Sequence, residues 1–302
     1  MHTFKSWVLA ARLRTLPLSL SGIIAGTAFA QLRNQFDWAI FALALLTTIG
    51  FQITSNFAND YGDGIKGTDA VGRVGPKRAL QEGLLGKKQL LKGIWITAML
   101  SLLSAIVLLY KAFFNSNITL FWIFTALGLF SIWAAIRYTM GDKPYGYQGL
   151  GDLFVFLFFG LLAVMGTSLL YTKLLYLQTI PLAICFGLLC VGVLNLNNLR
   201  DHVSDAKHGK RTMVVKLGFY KGKVYHLTLI LGSFIALLVF VWAENFPMKS
   251  VFFLLAYIPI FIHLNKTWRT EEPQKLDPEL KKLALSTFLL AVLLQISVNY
   301  FL

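Results

Sequence analysis

Charge is scarce in this chain. Asp, Glu, Lys and Arg make up 14% of its 302 residues, against about 25% in ordinary soluble domains. The deficit falls mainly on one sign, with 14 acidic residues facing 28 basic ones for a net charge of +14. Cysteine is nearly absent: Cys185 and Cys190 stand five residues apart in one apolar run, a spacing that turns them toward different faces of a helix. With only five histidines besides, neither a disulfide framework nor a zinc centre is expected. Also missing is any polar stretch long enough for a second, soluble domain, so no surface exists on which the basic excess would read nucleic acid.

What fills the chain is apolar. Hydrophobic residues reach 56%, and runs of about 20 of them, the length that crosses a hydrocarbon core of roughly 30 Å, occur nine times. They lie near 15–31, 38–58, 92–110, 119–137, 150–171, 176–199, 225–243, 248–264 and 283–301. The runs are continuous instead of alternating, which predicts helices and not barrel strands. The expectation is an all-α integral membrane protein, nine transmembrane helices in one bundle and one domain over 1–302.

The basic residues supply an independent check. Of the 28, 24 fall at the N-terminus and in the loops after segments two, four, six and eight, leaving Arg33, Lys111, Lys173 and Lys249 for the opposite side. The positive-inside rule then predicts a cytoplasmic N-terminus and an external C-terminus in a cell inner membrane. The stretch ending in Ala28-Phe29-Ala30 resembles a signal-peptide site, but cleavage there would leave eight crossings starting from the wrong side. The sequon at Asn117 is a tripeptide that chance supplies easily.

Polar chemistry concentrates in two places, the cytoplasmic loops expected at about 59–91 and 200–224. Residues 56–69, NFANDYGDGIKGTD, hold two Asn, three Asp and three Gly directly after an apolar run. Helical spacing groups Asn59 with Asp63, or alternatively Asn56 with Asp60, on one face, and Gly62, Gly64 and Gly67 would let the chain bend so that Asp69 returns to it. In NLNNLRDHVSD, Asn197, Asp201 and Asp205 recur every four residues and form a second ladder. An even number of crossings separates the two, so both reach the same side, as in a duplicated four-helix unit.

Carboxylates gathered at one mouth of an apolar bundle repel one another and lose hydration unless cations sit between them. Asp and Asn oxygens suit Mg²⁺, which commonly binds through one or two carboxylates together with phosphate oxygens. Beside the ladders stand Lys66, Arg73, Lys77 and Arg78, and Arg200, Lys207, Lys210 and Arg211, cations suited to a diphosphate. Diphosphate at the head of an apolar bundle implies an isoprenoid diphosphate, whose allylic C–O bond would ionise away from water. A membrane phosphatase would need an activated nucleophile that is not found, and a cation-coupled transporter would place its acids near the bilayer midplane.

NDYGDGIKGTD and NNLRDHVSD resemble the two aspartate-rich motifs of the UbiA superfamily of intramembrane aromatic prenyltransferases. GPKRALQEGLL and KPYGYQGLGDLFVFLFFGLLAVMGT look most like its branch acting on 1,4-dihydroxy-2-naphthoate; the alternative is a sister branch using 4-hydroxybenzoate, homogentisate or haem, which would share the acidic ladders and differ in the loops near 73–82 and 138–152. The resemblance implies Mg²⁺ ligation by Asn59, Asp63, Asp69, Asn197, Asp201 and Asp205, with Asp63, Asp201 and Asp205 essential to catalysis. It implies polyprenyl diphosphate and the naphthoate as substrates, with loss of CO₂ and diphosphate. Tyr138 and Lys143 fall where many members carry Tyr-x-x-x-Lys, although four residues intervene here, and Asp152 matches a Gly-Leu-Gly-Asp signature; all three are candidate acceptor contacts. Arg12 and Arg14 are further cations beside segment one.

Overall fold

A computed structural model describes residues 2–67 and 78–301. Among the described residues nine helices are long and apolar enough to cross a membrane: α1 Phe4–Leu32, α2 Trp38–Lys66, α3 Lys87–Phe113, α4 Ile118–Arg137, α5 Gly151–Thr172, α6 Thr179–Lys207, α7 Phe219–Ala243, α8 Met248–Arg269 and α9 Pro273–Tyr300. The count matches the nine apolar runs. The bounds do not, and the difference matters at α2 and α6, which run eight residues past the apolar segments that predict them.

Both acidic motifs therefore ride on helices instead of opening loops. The extra turns persist because their polar side chains find partners on neighbouring elements, described below, which apolar periodicity alone does not register. Gly62 and Gly64 lie inside α2 and do not bend it. A Cβ on Gly62 would sit 2.8 Å from the Thr139 carbonyl carbon, so this glycine admits the segment after α4 against α2. Only Gly67 ends the helix, at φ +66°, a left-handed conformation that costs glycine little. Asp69, Arg73 and Lys77 lie outside the described residues.

Helices α2 and α4 start on side-chain caps. Asp37 accepts hydrogen bonds from the Ala39 and Ile40 amides at 2.8 and 3.1 Å, and Asn117 accepts one from Leu120 at 3.1 Å. Asn117, the residue of the sequon, is thus the N-cap of α4. Helix α1 is broken at Arg12, which adopts a left-handed conformation at φ 49°.

Packing closes most of a ring. Helix α2 lies along α3, α3 along α4, α6 along α5 and α7, and α9 packs on α1, α6 and α8. Phe29, Phe186, Phe240, Phe253 and Tyr257 build the core of the α1/α6–α9 half, all essentially excluded from solvent. Van der Waals packing through small residues drives such association where lipid is as apolar as the helices themselves. Gly160 and Gly187 show it at the α5–α6 crossing: a Cβ on Gly160 would lie 2.7 Å from Gly187 Cα and 2.8 Å from the Ala183 carbonyl oxygen.

Helices α4 and α5 meet differently. Their contact runs through rings, Phe130 lying 6.5 Å from Phe154 and 6.0 Å from Phe158 between centroids, and the middle of α5, Phe156–Gly166, is wound as a π-helix. Behind these rings an apolar cavity of about 380 Å³ opens, lined by residues of α1 through α6 that include Phe51, Phe124, Phe158 and Leu162.

A methyl at position 160 has only backbone to push against. Gly160→Ala is expected to lower thermal stability in detergent by about 1–3 kcal/mol, the usual cost of overpacking. Gly128→Ala, whose Cβ would meet only Phe51 Cζ at 4.0 Å, is expected to leave the thermal midpoint unchanged.

Candidate active site

Two registers of the first motif face in different directions. Asn56 is buried and donates to the Ala11 carbonyl at 2.8 Å and to Thr15 Oγ1 at 3.2 Å, tying α2 to the break in α1. Asp60, also buried, accepts from the Ala79 amide at 3.1 Å and feels the Arg12 charge. These two hold the chain together around the N-terminal helix. Asn59 instead lines the apolar cavity, and Asp63, one turn on, points toward the segment between α4 and α5. The pair Asn59/Asp63 therefore faces the cavity and its polar mouth.

Asp63 is 5% exposed and is held from two sides. Arg78 Nη2 donates to one carboxylate oxygen at 2.9 Å and the Tyr147 hydroxyl donates to the other at 2.9 Å. Tyr147 also joins the halves of the site. Its ring lies under the Lys66 ammonium at 4.6 Å and the Lys210 ammonium at 5.5 Å, and its carbonyl accepts from the Arg211 amide at 2.8 Å. Lys66 Nζ donates in addition to the Thr139 carbonyl at 3.1 Å.

The second motif is clamped along α6. Arg200 donates through Nε and Nη2 to both oxygens of Asp201, at 2.8 and 2.6 Å, through Nη2 to Asn197 Oδ1 at 2.7 Å, and through Nη1 to Asp277. Expected among the diphosphate-binding cations, Arg200 is instead 4% exposed and committed to these oxygens. Its place on the inward face of α6 decides this, since a buried guanidinium must satisfy its donors within the fold. Asp205, four residues on, pairs with Lys210 at 3.8 Å.

Lys210 lies where the two motifs meet. Burial pushes its ammonium down, but the Asp205 and Asp63 carboxylates more than reverse this and hold it above the ordinary lysine value. One protein cation thus serves acids from both motifs. Tyr138 lines the cavity beside them, and burial raises its phenol above the usual range, so it stays neutral and able to donate.

Outside the acids lies a basic bowl formed by Lys66, Lys143, Lys207, Arg211 and Lys216 with His208 and Tyr147, and a single acid, Asp142. Lys143 is exposed here and does not reach the apolar cavity. Asp152 sits at the foot of α5, where it accepts from the Tyr225 hydroxyl at 3.0 Å, a contact between α5 and α7. Lys207, one of the cations beside the second ladder, is in this bowl, whereas Tyr147 and Lys216 were not singled out by sequence as site residues. The Lys-Pro-Tyr-Gly-Tyr run carried a signal for Tyr147, because an aromatic inside a basic polar loop has no apolar core to fill.

Whether these residues fit Mg²⁺ can be tested on the arrangement itself. Among the described residues, no three His, Cys, Asp or Glu side chains converge as a ready-made cage. The donors at hand are carboxylate and carboxamide oxygens, and a single ammonium is shared by the acids of both motifs. That fits a hard cation held by one or two carboxylates and completed by water and phosphate oxygens.

Comparisons with known proteins place this arrangement. The profile of the UbiA prenyltransferase family matches residues 19–288. A protein of Haemophilus influenzae named 1,4-dihydroxy-2-naphthoate octaprenyltransferase is 42% identical over 96% of this chain and 94% of its own. Its namesake from Escherichia coli is 40% identical over the same shares. Among solved structures, a UbiA homolog from Archaeoglobus fulgidus bound to GPP and Mg²⁺ superposes with a TM-score of 0.69 at 16% identity, over 97% of this chain and 99% of that one. An apo UbiA homolog from Aeropyrum pernix gives 0.68 at 15% identity, over 95% and 98%.

The two registers separate by experiment. Asn56→Ala and Asp60→Ala are each expected to cost about 1–3 kcal/mol of thermal stability, because buried partners lose their bonds. Asn59→Ala, whose amide oxygen accepts only one long bond from Thr139 at 3.3 Å, is expected to unfold at the wild-type temperature.

Proposed function

We propose that this chain, which belongs to the UbiA prenyltransferase family, transfers a polyprenyl group from polyprenyl diphosphate to 1,4-dihydroxy-2-naphthoate, releasing diphosphate and CO₂ and giving demethylmenaquinol. One observation carries the reading. Asp63 and Asp205, from two helices, share Lys210, which neighbours Tyr138 of the apolar cavity and Tyr147 of the basic bowl, in a chain whose relatives named for that acceptor match it almost end to end.

The two motifs and, for the described residues, their surroundings support these roles. Asn59, Asp63, Asn197, Asp201 and Asp205 would hold Mg²⁺, with Asp69 as a further ligand. When bound, the metal supplies positive charge that stabilises the departing diphosphate oxygens. Lys66, Arg78, Lys210 and Arg211, with Arg73 and Lys77 from the segment between, contribute charge-assisted hydrogen bonds to the same leaving group. Arg78 and Lys210 are already beside Asp63 and Asp205, so each turns from a carboxylate to a phosphate oxygen with little movement.

The prenyl tail lies in the cavity behind Phe130, Phe154 and Phe158. The allylic C–O bond breaks with its electron pair going to the diphosphate, and the ring carbon bearing the carboxylate supplies the pair for the new C–C bond. Loss of CO₂ then returns electrons to the ring and restores aromaticity, so no side chain need remove a ring proton. Apolar walls exclude the water that would capture the carbocation. The neutral Tyr138 hydroxyl, Lys143 and Asp152 are the acceptor contacts, Tyr138 from inside the cavity and Lys143 from the bowl where an anionic acceptor arrives. The site faces the cytoplasm, where the basic residues concentrate, in an inner membrane.

Purified protein in detergent, supplied with Mg²⁺ and a long-chain polyprenyl diphosphate, is expected to prenylate the naphthoate with stoichiometric CO₂. Turnover of 4-hydroxybenzoate alone would sink the acceptor assignment. Asp63→Ala, Asp201→Ala and Asp205→Ala should each lower kcat by at least about 100-fold, the scale of lost transition-state electrostatics, while remaining folded. Tyr147→Phe, which keeps the ring beneath two ammoniums but removes one hydrogen bond from Asp63, is expected to change the Mg²⁺ dependence of the rate more than the naphthoate KM; equal shifts in both would remove Tyr147 from the metal side.

A further inference from the structure

Asp277 has no part in the motifs, yet it touches them through one residue. It stands at the junction where a short turn, Pro273–Leu276, passes into the long helix Asp277–Phe301 of α9. From there its carboxylate accepts from Arg200 Nη1, while the same guanidinium holds both oxygens of Asp201 and the Oδ1 of Asn197. The Arg200 side chain is 1% exposed, Asp201 12% and Asp277 39%. So a carboxylate near the surface grips a buried cation, which grips three oxygens of the second motif.

Two features set this apart from an ordinary ion pair. The charges do not cancel: Asp201 and Asp277 together put two negative charges on one guanidinium, so the cluster keeps a net charge of −1. The bonds also leave capacity, since an ionised carboxylate offers about four lone-pair sites and an amide oxygen two. Arg200 takes one site on each oxygen of Asp201 and one on Asn197, which leaves both groups able to accept a cation while fixing their orientation. If Arg200 were tied to Asp201 alone, the pair would be neutral and its guanidinium free to swing with the carboxylate.

We infer that Asp277 is a positioning residue for the metal site. It draws one edge of Arg200 toward α9, so that Arg200 orients Asn197 and Asp201 without neutralising them. Outer groups that orient metal ligands in this way are typically worth 10- to 100-fold in metal affinity. The inference rests on the proposed Mg²⁺ role of the second motif, and its test keeps the two apart.

Free Mn²⁺ is counted by its electron paramagnetic resonance signal as it is titrated into detergent-solubilised protein with inorganic diphosphate. Asp277→Asn, which keeps the side chain's size and one oxygen but removes the charge, is expected to weaken Mn²⁺ binding about 10- to 100-fold. Asp277→Glu should recover most of the loss. Arg200→Lys, which keeps the cation but cannot hold three oxygens in one plane, should weaken binding by a similar factor, and it decides the matter if the Asn variant fails to fold. Asp63→Asn is the control. Wild-type Mn²⁺ affinity in folded Asp277→Asn, with binding lost in Asp63→Asn, would overturn the positioning role and leave the site intact. Wild-type affinity in Asp63→Asn would overturn the metal site itself.

Discussion

An ionised carboxylate at the edge of an apolar bundle needs a countercharge within hydrogen-bond reach, and the architecture of this site follows from that need. Removing a carboxylate from water costs several kcal/mol after relaxation, so each acid at the mouth has a cation beside it: Asp63 has Arg78, Asp201 has Arg200, and Asp205 has Lys210. The pairs also dictate where helices end. Helix α2 continues to Lys66 and α6 to Lys207 because the final turns hold these acids at fixed heights, and a loop beginning at residue 59 or 200 would leave them without register.

That same need explains how far the sequence could be read. Nine apolar runs are visible because bilayer thickness imposes a length on them, and spacing by four groups Asn197, Asp201 and Asp205 because a helix has 3.6 residues per turn. Spacing alone cannot choose between Asn59/Asp63 and Asn56/Asp60, since both have the same period. What distinguishes their surroundings is α1, whose break near Arg12 presents the Ala11 carbonyl to Asn56, a contact across 45 residues that no local pattern carries. Arg200 meets a related limit. A basic residue beside an acidic motif reads as a phosphate ligand, and the Asp277 carboxylate that its guanidinium also holds arrives from 77 residues on.

Tyr147 marks a second limit. Composition identifies the polar loop that contains it, but its three simultaneous contacts, hydroxyl to Asp63, ring beneath two ammoniums and carbonyl to Arg211, exist only when the segment between α4 and α5 folds back between α2 and the end of α6. Gly62 permits that return by offering no side chain against Thr139. A glycine that seemed to be there for a bend is there for an approach.

The resting ion pairs bear on selectivity, taking the proposed function as given. A divalent cation arriving alone would win Asp63 and Asp205 but take those carboxylates from Arg78 and Lys210. Diphosphate arriving alone would attract those two cations and take them from the carboxylates. Each half-exchange weakens the compensation of a desolvated ion, which is unfavourable in either direction. A metal diphosphate brings both partners at once: the acids pass to the metal, the cations pass to phosphate oxygens, and the number of satisfied charges is preserved. Selectivity for the complex over its parts therefore needs no dedicated sensor. It arises from storing each ligand group on an internal partner of opposite sign, and it explains why a site built to hold a metal shows protein cations between its acids.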